Sequence, residues 1–363
     1  MKTIVTITGI RPDFIRMCEI FKKLDKNFNH ILIHTGQHYD NLLSDVFFKD
    51  LNIRKPDYNL GIGGGGKQHY HQQAELGVKI IELFESEDIK PDIVLFLGDS
   101  NSVLASLPLK KEGYKIGHIE AGMRSYDERM LEEINRKACD HVSDYLFVYH
   151  ENYKEKALKE NINSKKIFVV GNTIVEALNS IDFEKYDGDS KHICMDIHRP
   201  ENFKYKGRME VILDYANQCS DKFNLPVKML KFGRTLDYIN EYKLDLGSIE
   251  LVDLMGYKDF INFQQQSLFI ISDSGTAQEE PALLDIPVIV PRSFTERPES
   301  VKNGNSFMFT AQRWVNGDPN DEHIEKSFEW LENYFNGSDR NSEWLGDGDA
   351  SDKIISILKG RII

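Results

Sequence analysis

The chain has 363 residues, and 45 Lys+Arg against 58 Asp+Glu leave a formal net charge of -13. Such a surface repels nucleic acid and anionic lipid, which excludes both as partners outside a local basic patch. With 40% hydrophobic and 11% aromatic residues the chain buries real cores, which excludes wholesale disorder, and its length predicts about two domains.

The first element is a strand over Thr3–Thr8, followed by the single-glycine turn Gly9-Ile10-Arg11-Pro12-Asp13. Pro12 suits the first turn of a helix and Asp13 its positive dipole end. Phe14, Met17, Cys18, Phe21 and Leu24 then recur at helical spacing, one buried face. This start is too short and too soon interrupted to be a signal peptide, and no apolar run reaches the ~18 residues of a membrane span. Cys18, Cys139, Cys194 and Cys219 form no C-x-x-C pair, as expected of reduced thiols in a cytoplasmic protein.

A second strand is predicted over His30–His34. Gly61 to Lys67 then has P-loop spacing, but Gln68 replaces the magnesium-binding hydroxyl and the polar Lys55–Leu60, with Pro56, supplies no buried strand before it. A glycine loop with His69 and His71 as solvated neighbours is the better expectation, with no metal site. Further strands are predicted over Asp92–Leu97, Lys115–Glu120, Tyr145–Tyr149 and Ile167–Val170. After the polar stretch Ile181–Lys191, a linker by composition, come His192–Ile197, Val227–Phe232, Glu250–Met255, Ser267–Ser272, Val288–Pro291 and Phe307–Thr310.

Runs such as Asp92–Leu97 lack alternation, as in parallel strands covered on both faces. Strand and helix signals alternate, so the fold class is α/β, doubly wound. Residues 1–180 and 191–350 form the two domains, and 351–363 a last amphipathic helix, with Ile354, Ile355 and Leu358 on one face, packing back on the first domain. In such folds ligands bind beyond the carboxyl ends of strands.

Those ends are polar here. Gly98-Asp99-Ser100-Asn101-Ser102 and Glu120-Ala121-Gly122-Met123-Arg124-Ser125 follow strands in the first half. His198-Arg199-Pro200-Glu201-Asn202 and Ser272-Asp273-Ser274-Gly275-Thr276 follow strands in the second. Ser274 and Gly275 allow close approach of a phosphate to a helix start, though serine and glycine also simply cap helices. Glu279 and Glu280 beside them suit ribose hydroxyls. Asp99 and Glu120 each end an apolar run, where a charge needs a reason. Glu132, Asn135 and Arg136 share a helix face. Three acids near one cleft suit general acid–base chemistry, with repulsion raising some pKa values. Arg11 and His198 add positive or proton-donating groups that suit a pyrophosphate.

Taken together and in order, GIRPD, HTGQHYD, GDSNSVLA, HIEAGMRS, LEEINR, DHVSDYLFV, GNTIVEAL, HRPEN, SDSGTAQEE and TERPE resemble the non-hydrolysing UDP-N-acetylglucosamine 2-epimerase family along nearly the whole chain. The resemblance implies a GT-B-like pair of Rossmann-like domains with the active site in the cleft between them, a homodimer, and no metal or nicotinamide cofactor. It implies elimination of UDP to a 2-acetamidoglucal and re-addition with inversion at C2, in surface polysaccharide synthesis. Asp99, Glu120 and Glu132 match the acid–base positions, with His198 beside them in the catalytic set. Arg11, His198, Ser274 and Gly275 match the diphosphate site, Glu280 the ribose acid and Phe260 the uracil position; Arg16 and Arg136 complete the substrate-binding set.

The departures lie at Arg16, where the family commonly carries lysine, and at Arg199-Pro200, where a second basic residue is usual. They also lie at Phe232-Gly233, where many members have His-Pro, and at Lys67 to Gln73. The histidine of that pair serves an allosteric substrate site in some bacterial members. Gln37 and His38 do match that site, but these departures lead to the expectation that activation by substrate is weakened, absent or altered. The alternatives are a 2-epimerase of a diacetamido uronic acid UDP sugar, a GT-B glycosyltransferase, or a non-catalytic nucleotide-sugar sensor. A glycosyltransferase has no need of a carboxylate trio, because no C2 proton leaves.

Overall fold

A computed structural model of the protein describes residues 1–36, 45–63, 69–309 and 321–362. These divide into two compact units, Met1–Ile181 with Leu345–Ile363, and Asp182–Trp344.

The first unit is built on seven parallel strands: β1 (Thr3–Thr8), β2 (Asn29–His34), β3 (Tyr58–Asn59), β4 (Ile93–Leu97), β5 (Ile116–Ala121), β6 (Tyr145–Val148) and β7 (Ile167–Val169). Their order is β3-β2-β1-β4-β5-β6-β7, the doubly wound pattern in which the sequence of strands reverses beside β1. The non-alternating runs behave as expected: every residue of β4 and β5 is buried, because helices cover both faces. Helix Arg11–Asn27 buries Phe14, Met17, Cys18, Ile20, Phe21 and Leu24 along one stripe.

One expectation fails in this unit, that for His69 and His71. The polar Lys55–Leu60 stretch holds no buried strand, as expected, but two half-buried to exposed residues form a strand at the sheet edge: Tyr58 and Asn59 pair with Ile33 and His34, with no strand beyond them among the described residues. His69 and His71 begin helix His69–Ser86 rather than lying in a loop. Residues 64–68 of the glycine stretch, and Gln37 and His38, lie outside the described residues.

The second unit repeats the plan with β8 (His192–Asp196), β9 (Val227–Leu230), β10 (Glu250–Val252), β11 (Ser267–Ser272), β12 (Val288–Val290) and β13 (Ser306–Met308), ordered β10-β9-β8-β11-β12-β13. β9 and β10 stop two or more residues short of their apolar runs, since pairing ends at Leu230 and Val252. The two units are Rossmann-like, as a GT-B-like fold requires. After Trp344 the chain returns to the first unit, where helix Ala350–Ile362 buries Ile354, Ile355 and Leu358. Ser351 Oγ donates to Glu176 at 2.6 Å, and Lys359 Nζ donates to Asn27 at 2.6 Å. All four cysteines are free and buried.

Candidate functional site

In the first unit the chemistry gathers at the carboxyl ends of β1, β4 and β5. Arg11 opens helix Arg11–Asn27, with its guanidinium 5.1 Å above the Phe47 ring. Two residues on, Asp13 is buried and its Oδ2 accepts from the backbone of Gly9 at 2.6 Å and of Ile10 at 3.1 Å. That carboxylate therefore shapes the turn that presents Arg11. Burial raises its pKa to about 7 against those two hydrogen bonds, with the charges of Asp99 and Glu120 adding to the rise. The repulsion expected among the strand-end acids thus registers on Asp13, which its sequence position marks only as a helix-dipole residue.

Gly9 stands where a Cβ would lie 2.6 Å from Ser100 Oγ and 2.8 Å from Ser102. The turn after β1 and the loop after β4 are therefore in contact. Asp99 pairs with the buried Arg136, whose other arm donates to Glu133 Oε2 at 2.9 Å. Asn135 Nδ2 donates to the Asp99 carbonyl at 2.9 Å. Helix Leu131–Val142 thereby clamps the β4 end through two consecutive residues. Glu132 sits half-buried in the first turn of the same helix. Its neighbour Glu133, absent from the sequence-level candidates, is the buried one and also accepts from Ser125 and Tyr126. Its one signal in sequence is the i,i+3 spacing to Arg136.

Glu120 is the bulged residue of β5: Ile119 pairs with Phe147 and Ala121 with Val148, skipping it. Its φ of +69° is in the left-handed region, strained for a side-chain-bearing residue and typical of functional positions. The bulge turns its carboxylate to Arg16, whose Nη1 lies 2.5 Å from Oε2 with both groups buried. Arg16 thus sets a planar guanidinium against the Glu120 carboxylate.

In the second unit His198 follows β8. Its Nδ1 lies 2.7 Å from Asp196 Oδ1, so Nδ1 carries a proton. Burial works against the charged ring, but Asp196 and Asp273 outweigh it and raise the pKa. Asp273 accepts from the backbone of His198 and Arg199 and from Asn202 Nδ2. Asp196, His198 and Asp273 have ligand atoms within 4.8 Å of one another, yet these carboxylates are already committed to hydrogen bonds, which explains the cluster without a metal. Phe232, at the family's histidine position, packs its ring 4.9 Å from His198.

Ser274 donates its backbone N–H to Ser272 Oγ at 3.0 Å, and its own hydroxyl lies 3.0 Å from Thr276 Oγ1. Gly275 has no room for a side chain, since a Cβ would sit 2.6 Å from Glu296 Oε1. Behind this turn the buried Arg297 bridges Glu279 and Glu296, each at 2.7 Å. Glu280, also buried, accepts from Tyr257 Oη at 2.6 Å. Phe260, three residues after Tyr257 on helix Tyr257–Gln265, is half-buried. Asp13, Glu133, Tyr257 and Arg297 touch the candidate residues or the turns that carry them but are not among the sequence-level candidates, because burial and partners brought together by the fold set them apart.

Two Rossmann-like units, each built on a parallel sheet with polar strand ends, define a doubly wound α/β protein of GT-B-like class. A family model for UDP-N-acetylglucosamine 2-epimerase matches residues 22–359. The chain is 34% identical to the UDP-N-acetylglucosamine 2-epimerase of Methanococcus maripaludis, over 99% of both chains. It is 34% identical to the UDP-2,3-diacetamido-2,3-dideoxy-D-glucuronate 2-epimerase of Pseudomonas aeruginosa, over 85% of this chain and 89% of that one. The crystal structure of the Methanocaldococcus jannaschii UDP-GlcNAc 2-epimerase in complex with UDP-GlcNAc and UDP superposes with a TM-score of 0.85 at 31% identity, covering 99% of this chain and 100% of that one. The chain belongs to the UDP-N-acetylglucosamine 2-epimerase family.

Proposed function

We propose that the protein is an isomerase that interconverts UDP-N-acetylglucosamine and UDP-N-acetylmannosamine. A carboxylate removes the C2 proton while the C1–O bond to UDP breaks, giving 2-acetamidoglucal and UDP. UDP oxygen then re-forms the C1 bond as a second acid delivers a proton to the opposite face of C2. Asp99, Glu120 and Glu132 are the acid–base set, supported by the placement of Asp99 and Glu120 at neighbouring strand ends beside buried guanidinium groups. Arg11, Arg16 and Arg136 supply positive charge. His198, fixed through Asp196, with Ser274 and Gly275, holds the diphosphate and its developing charge. Glu280 takes the ribose and Phe260 the uracil. In this reading residues 1–180 carry the acid–base groups and 191–350 the UDP site.

The observation that carries the reading is the full-length match to 2-epimerases together with the strained, arginine-paired Glu120. The test is incubation with UDP-N-acetylglucosamine in deuterated water. Deuterium at C2 of the recovered sugar supports it, and tight UDP binding with no exchange into any UDP-N-acetylhexosamine refutes it. Asp99→Asn is expected to abolish exchange with UDP affinity within a few fold. The match to the diacetamido-glucuronate 2-epimerase favours a second reading, the same chemistry on a modified UDP sugar, which the same assay with that substrate distinguishes.

We further propose a cytoplasmic homodimer serving polysaccharide synthesis. Among the described residues no helix is long and apolar enough to cross a membrane. Val78 and Leu107 are exposed on helices that touch through Gly77 and Pro108, and such exposed apolar side chains are open to a second copy. Sedimentation of wild type and Val78→Asp checks this: a dimer that Val78→Asp dissociates supports it, and a monomeric wild type refutes it.

A further inference from the structure

The reaction proposed above needs Asp99 and Glu120 held at a fixed separation, yet Asp99 lies just past the end of β4 and Glu120 is the bulged residue of β5. Gly98, just before Asp99, has φ +74°, and Glu120 itself φ +69°. Glycine takes such a φ freely, but Glu120 does not, so tertiary contacts must hold the Glu120 backbone.

One ring reaches both places. His118 lies on β5 two residues before Glu120, fully buried. Its Nε2 is 2.7 Å from the carbonyl oxygen of Gly98, and its Nδ1 is 2.7 Å from Asp140 Oδ1. A carbonyl and a carboxylate only accept, and a neutral imidazole has one N–H to give. Satisfying both therefore requires a proton on each nitrogen. The other Asp140 oxygen accepts from Gly122 N at 3.0 Å and from Arg124 Nη1 at 2.8 Å. Arg124 in turn places Nε and Nη2 on Glu160 at 2.8 and 2.7 Å. The network thus balances two cations with two anions, which is what allows a charged ring to remain buried.

We infer that His118 is a positioning residue: as a buried imidazolium tied to Asp140 it fixes the Gly98 and Glu120 strand ends, and so the spacing of Asp99 and Glu120. Glu120 lies between two pinned points, His118 before it and Gly122 after it. Asp140 belongs to helix Leu131–Val142, which also carries Glu132 and Arg136, so the same ion pair sets that helix against the strand ends. The inference rests on the epimerase reading for its consequence in turnover, but the charge state of the ring stands apart from it.

Two measurements test it. In wild-type protein with 15N-labelled histidine, the His118 ring, assigned by its loss in His118→Gln, is expected to show an N–H on both nitrogens at pH 8. A ring with one N–H overturns the imidazolium. In His118→Phe, which keeps the ring volume without either hydrogen bond, kcat is expected to fall about 100-fold or more, as misplaced reacting groups do, with KM and UDP affinity within about threefold. A folded variant with kcat within about threefold of wild type overturns the positioning role; His118→Gln is read the same way if the phenylalanine variant does not fold. Absence of deuterium exchange by the wild type refutes the epimerase reading, and the turnover claim with it, while the ring spectrum still decides the charge.

Discussion

Arg16 and Glu120 meet at 2.5 Å although they stand 104 residues apart, and both side chains are buried. The pair joins the helix after β1 to the bulged end of β5, so the cation is delivered to a carboxylate whose own backbone is strained. Removing one partner of a buried ion pair leaves the other charge uncompensated, typically at a cost of about 3–5 kcal/mol. Arg16→Met is therefore expected to lower stability to urea by ~3 kcal/mol and to abolish turnover. Arg16→Lys, which keeps the charge, is expected to recover most of the stability. Equal urea midpoints for wild type and Arg16→Met contradict the pairing.

Gly275 is glycine for want of space. Its φ of -64° is ordinary, but a Cβ would press on Glu296 and on Arg297, which are locked to each other and to Glu279. Gly275→Ala must displace that buried network, so UDP affinity measured by calorimetry is expected to fall at least about tenfold, with a stability loss of roughly 1–3 kcal/mol. Gly233, with nothing within 4 Å of its Cβ position, is the control: Gly233→Ala leaves both unchanged.

Asp13 makes stability fall as pH rises. Its folded pKa of about 7 lies above the ordinary 3.8, so between these values the folded state binds more protons than the unfolded one. The contribution is fully present below about pH 4 and is lost as pH climbs through 7, at up to about 1.4 kcal/mol per pH unit. Both backbone bonds land on Oδ2, so the amide oxygen of Asp13→Asn can keep them while the titration disappears. Melting temperatures from pH 4 to 8 are expected to show a flatter slope in the variant than in wild type.

His192 works in the opposite direction. It is buried against Phe263, with ring centroids 4.1 Å apart, and its Nε2 lies 3.0 Å from Ser267 Oγ. Burial, helped by the Lys228 charge, lowers its pKa to about 4. Between about pH 4 and 6.5 the unfolded state holds the extra proton, so stability rises with pH across that window. His192→Gln is expected to reduce the acid sensitivity of unfolding, and an unchanged acid limb counts against a buried neutral ring.

Much of this protein is legible in its sequence because it is written locally. Apolar runs without alternation predict covered parallel strands, and β1, β4, β5, β8 and β11 lie where those runs are. Arg11, Asp99, His198 and Ser274 are found by looking just past each run, since a doubly wound fold puts ligand chemistry there. The two-residue β3 escaped because at an edge a single neighbour suffices, leaving no apolar signature in Lys55–Leu60.

What the -13 charge and the 58 acids do not reveal is which carboxyls matter, and in what state. Glu120 looks like any strand-end acid until the register skip and positive φ show it turned onto Arg16. Asp13 is a helix-start residue in sequence and a carboxyl with a pKa near 7 in the fold, because burial and two distant carboxylates act on it at once. His118 and Asp140 are 22 residues apart and meet only because β4, β5 and helix Leu131–Val142 pack together. Composition and periodicity determine the layers, through the burial of apolar stripes. Distances between charges, and the dielectric around them, exist only once those layers have closed.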